Sequence, residues 1–348
     1  MFLIKKNQRV CYVGTVYSLL LYLLHSSVED IKQTFFVFAY GIPDSICRRF
    51  EHYYILDHNV FKNEHPIAFK LTKYRKLEWI MGIPIKLLIW KNVGFKYKLY
   101  AQDHLFFSTE VIRNHDYILI EDSAKIFTNV NNGLFYQSIW KKRSDKSFQL
   151  LKLLYGETLY GSFGKNKCCK EVLLSEDDNH TSIKDKVKHI CNIYDSWRTS
   201  SIEKKEFINS LFDLKDNDFS ALSRKNVLFT QCFYPDILSE KEHAAIYELV
   251  LSKFPPDEII IKTHPRDIFD YKSYFKEYDV FDKIVPAQLL SLNGITYNNI
   301  ITVCSTSVAN IKYNGKLIWF GTEMNEKIYK RFGHIEPPRG EMVCVIDC

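Results

Sequence analysis

Ile259-Ile260-Ile261-Lys262-Thr263-His264-Pro265-Arg266-Asp267 is the stretch on which the reading of this chain turns. Three consecutive isoleucines read as a strand buried on both faces, the pattern of a parallel sheet. The run ends at a lysine, a histidine ahead of proline, and an arginine. Proline pushes the residue before it toward extended backbone, so His264 leaves the strand in a restricted geometry. Open α/β sheets bind ligands at the carboxyl ends of their strands. Cationic donors at such an end call for an anion, most commonly a phosphate, and arginine meets one with a planar fork. Lys262, His264, Pro265 and Arg266 are therefore read as the site of a nucleotide leaving group.

Working outward, short apolar runs alternate with helix-like stretches. Val10–Val13, Gln33–Phe38, Tyr53–Leu56, Ile85–Trp90 and Asp116–Ile120 read as strands, and Val16–Leu24 as a helix after the turn residue Gly14. From about Lys141 to Arg224 the chain turns polar, with Lys184–Phe212 patterned as helix. A second alternation follows: strand Asn226–Thr230, helix Glu240–Lys253, the Ile259 strand, a further helical stretch, and strands Asn299–Val303 and Leu317–Phe320. Such alternation predicts α/β architecture with parallel sheets and crossover helices. The predicted domains are 1–150, a mostly helical connecting region 151–224, and 225–348.

Composition sets the outer bounds. At 348 residues, 46% hydrophobic and 25% charged, the chain has room for two globular domains. No segment approaches the ~20 apolar residues of a membrane helix, and His25-Ser26-Ser27-Val28 makes a poor signal-peptide cleavage site. The predicted location is cytoplasmic. The nine cysteines are odd in number and scattered, several within apolar strands, so no disulfide framework is expected. A net charge of +6 suits an anionic substrate or peripheral contact with the inner face of a membrane. No basic stripe or finger motif points to nucleic acid.

Further candidates lie at other strand ends. Cys304-Ser305-Thr306-Ser307 follows an apolar strand and precedes an expected helix, whose free N–H groups would hold a phosphate; capping alone is the bland alternative. Glu121-Asp122 ends a strand of the first half, where a carboxylate could take a proton from an incoming hydroxyl. Asp236, after strand Asn226–Thr230, competes for that role. Asp216-Asn217-Asp218 has the spacing of a metal-bound sugar-nucleotide site, but no strand precedes it, and no metal is expected. Gly156, Gly161 and Gly164 lack dinucleotide-loop spacing. His65-Pro66 follows no apolar strand and reads as an ordinary loop.

The succession Ile120-Glu121-Asp122-Ser123, Ile261-Lys262-Thr263-His264-Pro265-Arg266 and Val303-Cys304-Ser305-Thr306-Ser307 resembles bacterial sialyltransferases, and more narrowly those of glycosyltransferase family 52. The resemblance implies a GT-B fold, with two Rossmann-like domains facing a central cleft. It implies a CMP-sialic acid donor, a galactose acceptor on a bacterial surface glycan, inversion at the anomeric carbon, no cofactor, and a homodimer. His264 would serve the departing phosphate together with Lys262, Arg266 and Ser305–Ser307. Asp236 or Asp122 would be the base, with Asp236 favoured by family analogy. Gly14, Thr15, Glu121 and Ser123 would fall on the acceptor side. Ser123 stands where the family has glycine, which bears on the role of Asp122. The competing readings are a UDP-sugar transferase of the same family and a non-catalytic nucleotide-binding subunit of a polysaccharide assembly complex.

Overall fold

The computed structural model describes residues 8–39, 41–56, 78–105, 108–123, 127, 163–215, 218–219, 222–223, 225–308 and 311–337. These fall into two compact units, one ending at Leu211 and the other beginning at Phe212.

The first unit is built on seven parallel strands: β1 (Arg9–Val13), β2 (Thr34–Ala39), β3 (Tyr53–Leu56), β4 (Lys98–Ala101), β5 (Tyr117–Ile120), β6 (Cys169–Leu174) and β7 (Val187–Ile190). Their order across the sheet is β3-β2-β1-β4-β5-β6-β7. The chain thus winds outward from β1 to one side, then returns and winds to the other. Helix Val16–His25 crosses from β1 toward β2. Its residues from Val16 to Leu24 are all buried, as expected of a helix apolar all round. Thr15 caps it, the hydroxyl accepting from the Ser18 N–H at 3.2 Å. Among the described residues no helix is long and apolar enough to cross a membrane.

The second unit repeats this plan on a smaller scale. Strands β8 (Asn226–Phe229), β9 (Ile259–Lys262), β10 (Asp279–Phe281), β11 (Ile300–Thr302) and β12 (Leu317–Trp319) lie in the order β10-β9-β8-β11-β12, all parallel. Helix Glu240–Leu251, between β8 and β9, starts with a reciprocal capping box of Ser239 and Glu242.

Three sequence expectations need correction. Ile85–Trp90 is not a strand but part of helix Glu78–Val93; Gly82, Ile85, Ile89 and Val93 are its buried positions, a helical stripe that the apolar run concealed. The region 151–224 is not a mostly helical connector. Its described part up to Leu211 belongs to the first unit and supplies β6 and β7 to that sheet. Strand β7 occupies the edge with no residue fully buried, so it carries no alternation to read. The helix expected over Lys184–Phe212 is instead β7 followed by helices Ile193–Thr199 and Ile202–Leu211.

Phe163 and Gly164 lead into β6 with positive φ angles of 45° and 83°. A Cβ on Gly164 would sit 2.7 Å from Ile183 Cγ2 and 3.2 Å from the Ser182 carbonyl oxygen. Gly164→Ala therefore combines left-handed strain of ~1–2 kcal/mol with a clash. Chemical denaturation should show it destabilised by about 2–3 kcal/mol.

Candidate active site

Each sheet reverses its winding direction at one place: between β1 and β4 in the first unit, and between β8 and β11 in the second. Crossovers leave on opposite faces at such a point and open a crevice beyond the carboxyl ends. The candidate residues of each unit gather around these two crevices.

In the second unit, Lys262 and Thr302 are both paired with Phe229 of the central β8. The tips of β9 and β11 therefore lie on one edge of one sheet, two strand spacings or about 10 Å apart. The loop after β8 ties both tips down. The His264 N–H donates to Thr230 Oγ1 at 2.9 Å, and Gln231 Nε2 donates to the Cys304 carbonyl at 3.3 Å. Thr302 Oγ1 accepts from the Ser305 N–H at 3.1 Å and donates to the Phe229 carbonyl at 2.9 Å. The Ser305 and Ser307 hydroxyls lie 2.6 Å apart, and Gln288 Nε2 donates to the Ser307 carbonyl at 3.0 Å. Ser305 is buried.

The backbone at Thr306–Val308 forms one 3-10 turn rather than the expected helix, so no helix dipole acts there. Of Thr306 only the backbone is described. What this tip offers an anion is hydroxyl and turn N–H groups.

His264 is uncharged in this setting. Burial, then the nearby Arg266 and Lys262 charges, lower its pKa to about 3. Its Nδ1 accepts from the Arg266 N–H at 3.2 Å, so the ring proton resides on Nε2 and makes that nitrogen the donor. Arg266 itself is exposed, and Pro265 lines a cavity of about 210 Å³ on the β10 side of the loop. Lys262 departs from the expected picture. It is 2% exposed, its ammonium donates to the Thr263 carbonyl at 2.7 Å, and it lies 5.6 Å from the Phe281 ring centroid. Burial lowers its pKa to about 7 against a small opposing effect of Asp282. Lys262 is thus a buried, proton-poised group directed toward β10, not a ready donor beside Ser305.

Beneath His264 lies a polar network the sequence did not disclose. Asp267 Oδ2 accepts from Thr230 Oγ1 at 3.3 Å and from the Tyr271 hydroxyl at 2.8 Å, and the Tyr271 oxygen lies 2.7 Å from His243 Nε2. The side chains of Asp267 and His243 are wholly buried. Through Thr230 this network fixes the backbone of the His264 tip. Asp236 sits differently, exposed on the turn that leads from β8 to its helix. The discounted aspartate pattern gives an ion pair at its described end, Asp218 with Lys283 at 2.7 Å. Asp216 and Asn217, like His65, Pro66, Gly156 and Gly161, lie outside the described residues. Among the described residues no cluster of three His, Cys, Asp or Glu suits a metal ion.

In the first unit the two acids of the pair take separate roles. Glu121 turns inward and is buried, accepting from the Tyr17 hydroxyl at 2.6 Å and the Ser175 N–H at 2.9 Å. Asp122 faces the crevice. Its Oδ1 accepts from Gln102 Nε2 at 2.6 Å, and Gln102 Oε1 accepts from the Gly14 N–H at 2.6 Å, which spans the switch point. Gly14 packs closely here: a Cβ would meet Leu105 Cδ2 at 2.6 Å and Ala39 Cβ at 3.3 Å, so the Leu105 side chain would have to shift. Thr15 Oγ1 donates to the Asp122 carbonyl at 3.3 Å. Ser123 is half-buried next to this cluster. His104 Nε2 approaches Asp122 Oδ2 at 3.5 Å. Gln102 and His104 were not foreseen: they follow β4, whose four residues give too short a pattern to mark a strand end.

Two doubly wound α/β units, each with a polar crevice at its switch point, match the plan of the GT-B fold. The GT-B domain of a sialyltransferase from Photobacterium damselae superposes with a TM-score of 0.52 at 11% identity, covering 93% of this chain and 94% of that one. An α/β-galactoside α-2,3-sialyltransferase from Photobacterium phosphoreum gives a TM-score of 0.48 at 11% identity over 94% and 95% of the two chains. An uncharacterized protein of Haemophilus influenzae is 30% identical over 241 residues, 68% of this chain and 72% of its own. The pattern that defines glycosyltransferase family 52 matches residues 62–317, and the chain belongs to that family.

Burial raises the Glu121 pKa to about 7, although the Ser175 and Tyr17 hydrogen bonds oppose the shift. An unfolded glutamate titrates near ~4.3, so between these values the folded chain holds the extra proton. The Glu121 contribution is fully present below about pH 4 and is lost as pH rises through about 7. Thermal melts from pH 4 to 8 should show the wild type losing stability relative to Glu121→Gln across that window. Parallel profiles would refute the assignment.

Proposed function

We propose that the chain transfers sialic acid from CMP-sialic acid to a terminal galactose of a bacterial surface glycan, inverting the anomeric centre without a metal ion. The observation that carries this reading is the union of the His264 and Ser305–Ser307 tips on one sheet edge, tied together through Thr230 and Gln231. A gap of about 10 Å between two tips suits one nucleotide monophosphate held from both sides. Membership of the family and the fold shared with a sialyltransferase support the choice of donor.

In this mechanism the bond between the anomeric carbon and the phosphate oxygen breaks through an oxocarbenium-like state. The phosphate gains negative charge as it departs. The Nε2–H of neutral His264 donates to it, and the Ser305 and Ser307 hydroxyls supply further donors. Stabilising charge that develops only in the transition state is usually the largest catalytic contribution. The growing charge also favours protonation of His264 and Lys262, both poised low by burial. A carboxylate takes the proton of the attacking hydroxyl. Asp236 is our first choice, in the same unit as His264 and exposed to incoming substrate. The hydrogen-bonded setting of Asp122 at the other crevice supports a second reading.

The protein would act at the cytoplasmic face of the membrane that carries its glycan acceptor, and as a homodimer. Incubation with CMP-sialic acid and a β-galactoside should release CMP in the presence of a chelator. His264→Ala should lower kcat/KM by roughly 10²–10⁴-fold, and Asn at the true base by a similar factor. Nucleotide release from UDP-sugars alone would replace the donor assignment. Unchanged turnover in both Asp236→Asn and Asp122→Asn would discard both bases.

A further inference from the structure

His264 lies on a loop, yet it is gripped at three atoms, and two of the three grips run through Asp267, a residue the transfer mechanism does not use. Thr230, buried just beyond the central strand β8, spans the tip of β9. Its N–H donates to the Lys262 carbonyl at 3.1 Å, and its Oγ1 accepts from the His264 N–H at 2.9 Å. On the far side of the turn the Asp267 N–H donates to the His264 carbonyl at 2.9 Å. The ring is held at Nδ1 by the Arg266 N–H at 3.2 Å. Arg266 and Ile268 are exposed, so apolar burial does not fix this turn. Hydrogen bonds do.

Asp267 gives those bonds their direction. Its side chain is wholly buried. Oδ2 accepts from the Tyr271 hydroxyl at 2.8 Å and from Thr230 Oγ1 at 3.3 Å, and Oδ1 accepts from the Phe269 N–H at 3.2 Å. Each of these partners is a donor, which holds the group as a carboxylate although burial raises its pKa. A carboxylate only accepts. The Thr230 hydroxyl therefore directs its proton at Asp267 and turns a lone pair toward the His264 N–H. His243 acts alike from the other side. Burial lowers its pKa to about 4 and keeps it neutral, and its Nε2 lies 2.7 Å from the Tyr271 oxygen. Among the described residues its Nδ1 has no hydrogen-bond partner, which fits a bare lone pair there and the proton on Nε2. The protons of this chain all point toward Asp267, and buried hydrogen bonds that run in sequence polarise and strengthen one another.

We propose that Asp267 and Thr230 are positioning residues for the transfer reaction, setting the place of His264 and the aim of its Nε2–H at the departing phosphate. The inference rests on the reading that His264 serves that phosphate. A donor whose benefit arises in the transition state must already stand in the productive geometry, and a displacement of about 1 Å can cost ~10²-fold in rate. The Asp267 carboxylate meets this need from both sides of the histidine, through Thr230 at its N–H and through its own N–H at the carbonyl.

A double-mutant cycle tests this, read as nucleotide release from whichever sugar nucleotide the wild type turns over. Thr230→Val removes the hydroxyl at nearly constant volume. It should lower kcat/KM about tenfold to a hundredfold, chiefly through kcat, with donor KM changed by no more than about threefold. Asp267→Asn, which offers one acceptor oxygen where two are engaged, should fall at least as far, and Thr230→Ser should recover most of the activity. In a His264→Ala background the Thr230→Val change should cost less than about twofold, because an effect that passes through the imidazole has nothing left to act on. Equal losses in the two backgrounds would mean support of the fold alone and overturn the inference, as would wild-type activity in Thr230→Val. Thr230→Ala enters the same cycle if the valine variant does not fold. Turnover of UDP-sugars alone removes CMP-sialic acid as donor and leaves the cycle to be read as before. In a protein that turns over no sugar nucleotide, imidazole nitrogen NMR decides. The His264 Nδ1 resonance, identified by its loss in His264→Ala, should shift in Thr230→Val as its hydrogen bond to the Arg266 N–H loosens. Unchanged Nδ1 and Nε2 resonances remove the positioning role.

Discussion

The reversal of winding direction in each parallel sheet is the constraint on which the remaining structure depends. Right-handed crossovers oblige strands added on opposite sides of the first strand to place their helices on opposite faces. At the border the two crossovers diverge, and the strand ends between them face no packed helix. Backbone and side-chain polar groups there must find partners among loops or ligands. In this chain Gly14–Gln102 crosses one border, and Gln231–Cys304 and Thr302–Phe229 cross the other. Everything assigned to chemistry is arranged around one or the other.

Around the β8–β11 border the arrangement favours groups that are short of protons at rest. His264 and Lys262 are both pushed toward neutrality by burial. A site of fully charged, solvated cations would bind a nucleotide's ground state and its departing phosphate nearly alike. In the proposed transfer, a neutral His264 that donates to the phosphate as its charge grows would favour the later state, which is where binding accelerates a reaction. The buried Asp267–Tyr271–His243 network carries no such charge change to the surface. Its effect passes through Thr230, which holds the His264 backbone in place.

Much of this was legible along the chain because burial on both faces leaves an unbroken apolar run. The Ile259, Ile300 and Tyr117 strands announce themselves in that way, and the polar residue ending each run marks a carboxyl edge. The reading failed where that signal is absent or ambiguous. Edge strand β7 has no buried residue, and Ile85–Trp90 is apolar enough to pass for a strand while its burial follows a helical period. Strand β4 is too short to separate from its loop, so Gln102 and His104 stayed hidden behind it.

The sequence alone determined that two runs of α/β structure exist and that basic, hydroxyl and acidic clusters terminate their strands, since local patterns of apolar residues are set by which faces lose contact with water. Only the tertiary structure decided which members of those clusters are available. Glu121 and Asp122 are neighbours on the chain, yet one is buried against Tyr17 and Ser175 while the other turns to the crevice. Lys262 and His264 end the same strand, yet the lysine folds back toward Phe281. The reason is that a side chain's surroundings come from strands and loops distant in sequence, and the packing of those elements fixes whether a polar group meets a partner, an apolar wall or a substrate.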